Sequence, residues 1–345
     1  MRKRSGIFAA VISALGSLCA SEARAGTWIP ISGPNYSNIA VGQSSKSRAG
    51  GQGLMCAVRA SNVTLWGGTI DCYAPNGPTG HRLAYTSVDG FPFAQADSRY
   101  RAVSLALEPA DNGMWLHVVR SDSVTFATFI PVPLPSGTRA FGDWYHDIDP
   151  AQPPGFVPRQ VGHVWSTGLI FLATDNFIYG RQNGGWVRIN GVGSASSTPG
   201  PNVFLSTNTV GIALTGTNPT ALGPFLYLSN GHRAPGFSVQ RMPRSDVPPP
   251  FFAFGYTTPV SCDFDSACYA VQGTHQPTGR FAAGIYFTRA SQGGWSPWGP
   301  YPTTVSQTFS DVGNAWSIQS GFSYRGKSGE LFVIGGGYRL MNWVP

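Results

Sequence analysis

Two stretches of the chain share a pattern that constrains the fold more than any other feature. Phe177–Trp186 reads FIYGRQNGGW and Ile285–Trp295 reads IYFTRASQGGW. Each sets a tyrosine after a β-branched residue, then a polar run, then Gly-Gly-Trp. Phe225-Leu226-Tyr227 leads in the same way to Gly236-Phe237, and Leu83-Ala84-Tyr85 leads to a turn and Phe91. The tyrosines stand at 85, 179, 227 and 286, so their gaps are 94, 48 and 59 residues. The first gap is two units long. The hidden unit is expected over Trp115–Phe129, where apolar and polar residues alternate on both sides of Ser121-Asp122-Ser123. A second apolar strand precedes these units, at Leu54–Val58, Leu169–Ala173, Val210–Thr215, Cys268–Val271 and Ala315–Ile318. A repeat of this length, with three or four antiparallel strands in each unit, is the pattern of a propeller blade.

Physical chemistry explains the choice of residues. A small sheet with two apolar faces cannot bury them alone, so neighbouring units must stack. Paired glycines supply the backbone angles of a tight hairpin. Trp28-Ile29-Pro30-Ile31 resembles Trp186-Val187-Arg188-Ile189, yet no tyrosine strand comes before it. The C-terminus ends in a strand and Trp343. The two ends are therefore expected to share one blade, which would remove free sheet edges. The reading is all-β: a single propeller of about five to seven short antiparallel blades over residues 26–345, closed by pairing of the N- and C-terminal strands. Gly 44, Pro 28 and aromatic content of 13% fit many short strands and turns. Three proline-dense runs, 130–135, 149–158 and 244–250, are expected as loops or edge segments.

Residues 1–25 are expected to be a cleaved leader. Arg2, Lys3 and Arg4 precede the apolar run 7–18, and Ala23-Arg24-Ala25 supplies the exit site. The chain is then expected to be secreted or periplasmic, without a stable membrane span. Its formal charge is +7, and the leader holds Arg2, Lys3, Arg4 and Arg24 against Glu22, which leaves +4 for the rest. With Lys46 and Lys327 as the lysines beyond the leader, this is no nucleic-acid footprint. Cys56, Cys72, Cys262 and Cys268 remain after cleavage. Four cysteines allow three pairings. Local bonds, Cys56–Cys72 and Cys262–Cys268, are expected because each pair encloses a short loop.

The turn-and-aromatic units resemble the repeats of sialidase-type propellers. Ser87-Val88-Asp89-Gly90-Phe91 is the nearest piece to their Asp-box, while Asn183-Gly184-Gly185-Trp186 and Gln292-Gly293-Gly294-Trp295 keep the Gly and Trp without the Asp. The units also resemble tryptophan-rich tectonin propellers, through Trp28-Ile29-Pro30-Ile31-Ser32-Gly33 and Trp186-Val187-Arg188-Ile189-Asn190-Gly191. The first resemblance implies a hydrolase with an arginine cluster, a Tyr–Glu pair and an acid. The second implies a lectin-like protein. The chain beyond the leader has two glutamates, Glu108 and Glu330. Tyr100–Glu108 and Tyr324–Glu330 are the pairs to be tested.

The richest polar run is Asp143, Trp144, Tyr145, His146 and Asp147, followed by Asp149. Its acids and histidine suit either a hard cation or acid–base work. Its aromatic residues, with Trp298, suit stacking on a sugar ring. Phosphate loops, dinucleotide fingerprints, zinc-protease motifs and nucleophile elbows are absent from the sequence, and no cofactor is expected. The leading expectation is an exported recognition module for carbohydrate or a cell-surface polymer. Its rivals are a sialidase-type glycoside hydrolase and a structural propeller that binds a protein partner.

Overall fold

β1 (Thr27–Pro30) stands apart from the strands that follow it in the chain. The first sheet runs β2 (Tyr36–Gln43), β3 (Gly53–Arg59), β4 (Ile70–Asn76) and β5 (Gly80–Thr86), with chain neighbours paired antiparallel. The second begins β6 (Ala102–Ala110), β7 (Gly113–Arg120) and β8 (Thr125–Pro131). The chain then visits the first sheet as β9 (Arg139–Ala140), parallel to β5, and returns as β10 (Trp144–His146), the outermost strand of the second. The third sheet is β11 (Gln160–Val164), β12 (Leu169–Ala173), β13 (Ile178–Gln182) and β14 (Gly185–Arg188). The fourth is β15 (Val203–Thr207), β16 (Ile212–Gly216), β17 (Phe225–Leu228) and β18 (Gln240–Asp246). The fifth is β19 (Val260–Cys262), β20 (Ala267–His275), β21 (Phe281–Arg289) and β22 (Ser296–Trp298). The sixth is β23 (Ile318–Ser320), β24 (Leu331–Ile334) and β25 (Leu340–Val344), with β1 as its fourth strand.

This computed structural model describes residues 26–44, 51–60, 68–88, 92–94, 97–146, 156–164, 169–174, 178–182, 185–188, 318–320, 324–326, 330–334 and 339–345, with the backbone of the strands named between 203 and 298. The leader and the acidic loops at 147–149 and 263–266 lie outside the described residues. The first strands of the sheets, β2, β6, β11, β15, β19 and β23, pack one beside the next in that order, and β23 packs on β2. The arrangement is all-β, antiparallel apart from β9, and propeller-like. The described residues hold one 3-10 turn, Ser98–Tyr100, and no α-helix.

The hidden unit expected over Trp115–Phe129 is β7 and β8, turning at Ser121–Ser123, where Ser123 has φ 68°. Trp28 enters the last sheet as its fourth strand, opposite Trp343. Two details differ from the expected pattern. Four of the strands read as leading a unit, at Leu54–Val58, Leu169–Ala173, Val210–Thr215 and Cys268–Val271, are second strands with a further strand before each, whereas Ile318 of the fifth opens β23, the first strand of its sheet. Tyr85 belongs to a fourth strand, and Tyr73 holds the third-strand place that Tyr179, Tyr227 and Tyr286 hold elsewhere. The start of the 244–250 run, residues 244–246, ends edge strand β18, which carries Pro243 where a missing N–H breaks no interior ladder, and 247–250 lie outside the described residues.

Apolar side chains from facing sheets make the core. Leu54, Cys56, Val58, Ile70 and Cys72 of the first sheet meet Leu105, Leu107, Leu116, Val118 and Phe126 of the second. Tyr36, Ile39, Met55 and Tyr73 on the other face of the first sheet meet Tyr324, Phe332 and Leu340 of the last. Cys56 and Cys72 are directly opposed on β3 and β4 and form the expected disulfide, with Cα atoms 4.0 Å apart. Cys262 and Cys268 are likewise opposed in backbone register on β19 and β20.

Candidate site between the second and third sheets

Register decides which side chains of the second sheet share a face. Glu108 on β6 lies opposite Trp115 on β7, which lies opposite Phe129 on β8. Two residues along, Ala106, His117, Ala127 and Tyr145 form the next row across β6, β7, β8 and β10. Because side chains alternate along a strand, both rows point to the same side. That side faces the third sheet. Further along it, Ala106 and Val119 pack with Val161, Ile170, Leu172 and Trp186. The Ser104 hydroxyl donates to the Val161 carbonyl and accepts from its N–H. The contact is sealed at that end and half open at the other. Trp115 and Phe129 keep part of their surface in solvent, and Tyr145 is 54% exposed.

Glu108 sits at the inner end of this open part. Its Oε2 is 2.8 Å from Nε2 of His117, a buried residue. Burial works against ionisation of Glu108. The His117 hydrogen bond and charge, with His163 on β11 and Arg181 on β13 beyond, outweigh it and hold the carboxyl below its ordinary value. Trp115 contacts Phe129 with ring centroids 5.3 Å apart and Tyr145 at 6.1 Å. The groove therefore combines an ionised carboxylate, a guanidinium from the facing sheet and a row of three aromatic rings. Such a set can accept and donate hydrogen bonds to hydroxyl groups while stacking on an apolar ring face.

Of the sequence candidates, Tyr145 joins this groove. The described part of the expected polar loop is a strand. Trp144 turns to the opposite face and packs on Phe93 at 4.9 Å and Phe141 at 5.4 Å. His146 lies on Phe126 at 4.5 Å. Asp143 is exposed, and its carbonyl accepts from Thr128. Asp147 lies outside the described residues, and Trp298 is described only as backbone in β22. The sequence marked Glu108 only as half of a Tyr100–Glu108 pair, and Trp115 only as the start of a strand unit. Their meeting depends on register across three strands, and Arg181 comes from another unit.

The Tyr–Glu pairs do not assemble as nucleophiles. Tyr100 lies under the Arg120 guanidinium, 4.7 Å from it, while Glu108 is bound by His117. Tyr324 and Glu330 do share a buried pocket between the last and first sheets. The Tyr324 hydroxyl is 3.0 Å from Nδ1 of His81, and Glu330 pairs with Arg325. Arg325 also donates to Asn342 at 2.7 Å and to the Gly80 carbonyl at 2.7 Å, bridging the two sheets. Burial raises Glu330 to about 7 despite Arg325, and burial with the Arg325 charge lowers His81 to about 3. With Glu330 and Tyr324 fully covered, the pocket is a joint between sheets. A second buried network is also structural. Asp71 accepts from Arg59 Nε at 2.7 Å and Nη2 at 2.9 Å, from Thr86 at 2.7 Å and from Tyr36 at 3.0 Å. Burial, with the charge of Asp71 behind it, pushes the Tyr36 hydroxyl far up.

Among the described residues, no group of three or more His, Cys, Asp or Glu side chains is placed to hold a metal ion. No helix there is long and apolar enough to cross a membrane. No protein-family model matches the chain, and no curated protein matches it. Among solved structures, a triple arginine-to-alanine mutant of AofleA from Arthrobotrys oligospora is similar over 90% of this chain and 82% of its own, with 13% identity and a TM-score of 0.48.

Proposed function

We propose that residues 26–345 form one exported propeller of six blades, closed by β1, that recognises carbohydrate or a cell-surface polymer at the groove between its second and third sheets. The observation that carries this reading is the row Glu108–Trp115–Phe129, with Tyr145 beside it and Arg181 facing it. A carboxylate and a guanidinium offer directed hydrogen bonds to hydroxyls, and the rings offer an apolar platform. Most ligand sites combine an apolar lining with a few such polar groups. Export after loss of residues 1–25, to the periplasm or beyond, belongs to the same proposal.

A glycan array beside a panel of fluorogenic glycosides tests the reading. Binding without turnover, lost in Trp115→Ala at unchanged melting temperature, is the expected result. Turnover that disappears in Glu108→Gln would instead make the chain a glycoside hydrolase, although such an enzyme needs a second carboxyl group beside the first. Glu330 is not that partner, since it is sealed in another joint. Silence in both assays would turn attention to a protein partner.

A further inference from the structure

The aromatic row has a direction. Its members stand on β7, β8 and β10, the second, third and outermost strands of one sheet. Glu108 stands at the inner end on β6, and Tyr145 at the rim is 54% exposed. Neighbouring strands lie about 4.8 Å apart. The rings accordingly line a track several strands long and not a single cup. We propose, building on the carbohydrate reading, that the groove takes an extended chain of neutral hexoses lying across the strands, with an inner unit held at Glu108 and an outer unit stacked on Tyr145.

Three features select this occupant. A lone sugar at Glu108 would cover Trp115 and leave Tyr145 bare. The apolar face of a hexose matches an aromatic ring, and successive units of a linear chain repeat that face at a spacing comparable with the strand spacing. Glu108 has Oε2 bound to His117 while its side chain keeps part of its surface in solvent, so its second oxygen is an acceptor that a ligand hydroxyl can reach. The Glu108 carboxylate and the facing Arg181 guanidinium offset each other, so the inner end has no net charge that would draw in a chain carrying carboxylates of its own.

The test is calorimetry on the full protein with ladders of cello-, manno- and chito-oligosaccharides from one to six units, and with polygalacturonate as the anionic control. Affinity for one ladder should climb from one unit to three or four. Tyr145→Ala should remove that gain, lowering tetrasaccharide affinity about tenfold, while Tyr145→Phe, which keeps the ring, retains it. Tyr145 is a rim residue, and a melting curve checks that the variants fold. Affinity already complete at one unit, or an equal preference for polygalacturonate, would overturn the extended neutral track and leave carbohydrate recognition standing. No binding to any ladder or to any array glycan would overturn both.

Discussion

At the scale of single residues, the polar groups divide into those that hold sheets together and those left to meet a ligand. Asp71 belongs to the first kind. Asp71→Ala leaves Arg59, Tyr36 and Thr86 without their acceptor inside the first sheet, and breaking such a pair costs about 3–5 kcal/mol. Chemical denaturation should show that loss with the denaturant slope unchanged. His81 and Glu330 act in opposite senses on acid stability. His81 is lowered to about 3 when folded, so the unfolded chain takes up the proton first, and stability falls as pH drops from 6.5 towards 3. Glu330 is raised to about 7, so the folded chain takes up the proton first, and stability rises as pH drops from 7 to 4.5. The two terms offset each other across that window. His81→Phe keeps a ring beside Tyr324 and removes one of them. Its melting temperature should rise on acidification relative to the parent, by roughly 2 kcal/mol of stability between pH 6.5 and 4.5. Parallel slopes for the two proteins would contradict this account. Sequence spacing could place neither group, because His81 and Arg325 meet across the joint between the first sheet and the last.

At the scale of elements, the repeat was legible where aromatic and glycine chemistry is strong, and obscure where it is weak. Tyr179, Gly185 and Trp186 mark the third and fourth strands plainly. The innermost strands, such as Val203–Thr207 and Gln160–Val164, are short and ordinary in composition, so the second strand was read as the first. The rigid cross-links follow the same strands. Cys56 and Cys72 join the second and third strands of the first sheet in the core. Cys56→Ala with Cys72→Ala should lower stability by about 2–4 kcal/mol. Cys262 and Cys268 have the same opposed register, and non-reducing peptide mapping should recover two local bonds. A peptide joining Cys56 or Cys72 to the later pair would refute the assignment. The segment from Pro131 to Trp144 is a second kind of tie. It leaves the second sheet, pairs as β9 with β5, stacks Phe141 on Tyr85 at 5.5 Å and returns as β10. The strand that carries Tyr145 is thus anchored to the first sheet as well as to its own. Composition marked 130–135 as a loop or edge segment, and the parallel pairing at Arg139 and Ala140 that follows it carries no strand pattern in the sequence.

At the scale of the whole molecule, the ends of the chain meet. Thr27, Trp28, Ile29 and Pro30 pair with Val344, Trp343, Asn342 and Met341. Trp28 and Trp343 touch at 5.5 Å between centroids. The sequence signalled this clearly, since Trp28-Ile29-Pro30-Ile31 is a fourth strand with no third before it. Deleting residues 26–31 should leave β25 as a bare edge. Size-exclusion chromatography with light scattering should then find association that the parent lacks, since an unpaired edge is a template for another strand. The pairing also sets an order of events in time. Each of the middle sheets is assembled from strands close together in sequence and can form as the chain emerges. The last cannot. β1 is made first and must wait, unpaired, for nearly the entire chain to follow. Contacts between such distant segments form slowly, because the intervening chain must first be drawn together. On this account the final step of folding is the docking of the oldest strand onto the newest, and until it happens Trp343 and an open sheet edge stay uncovered.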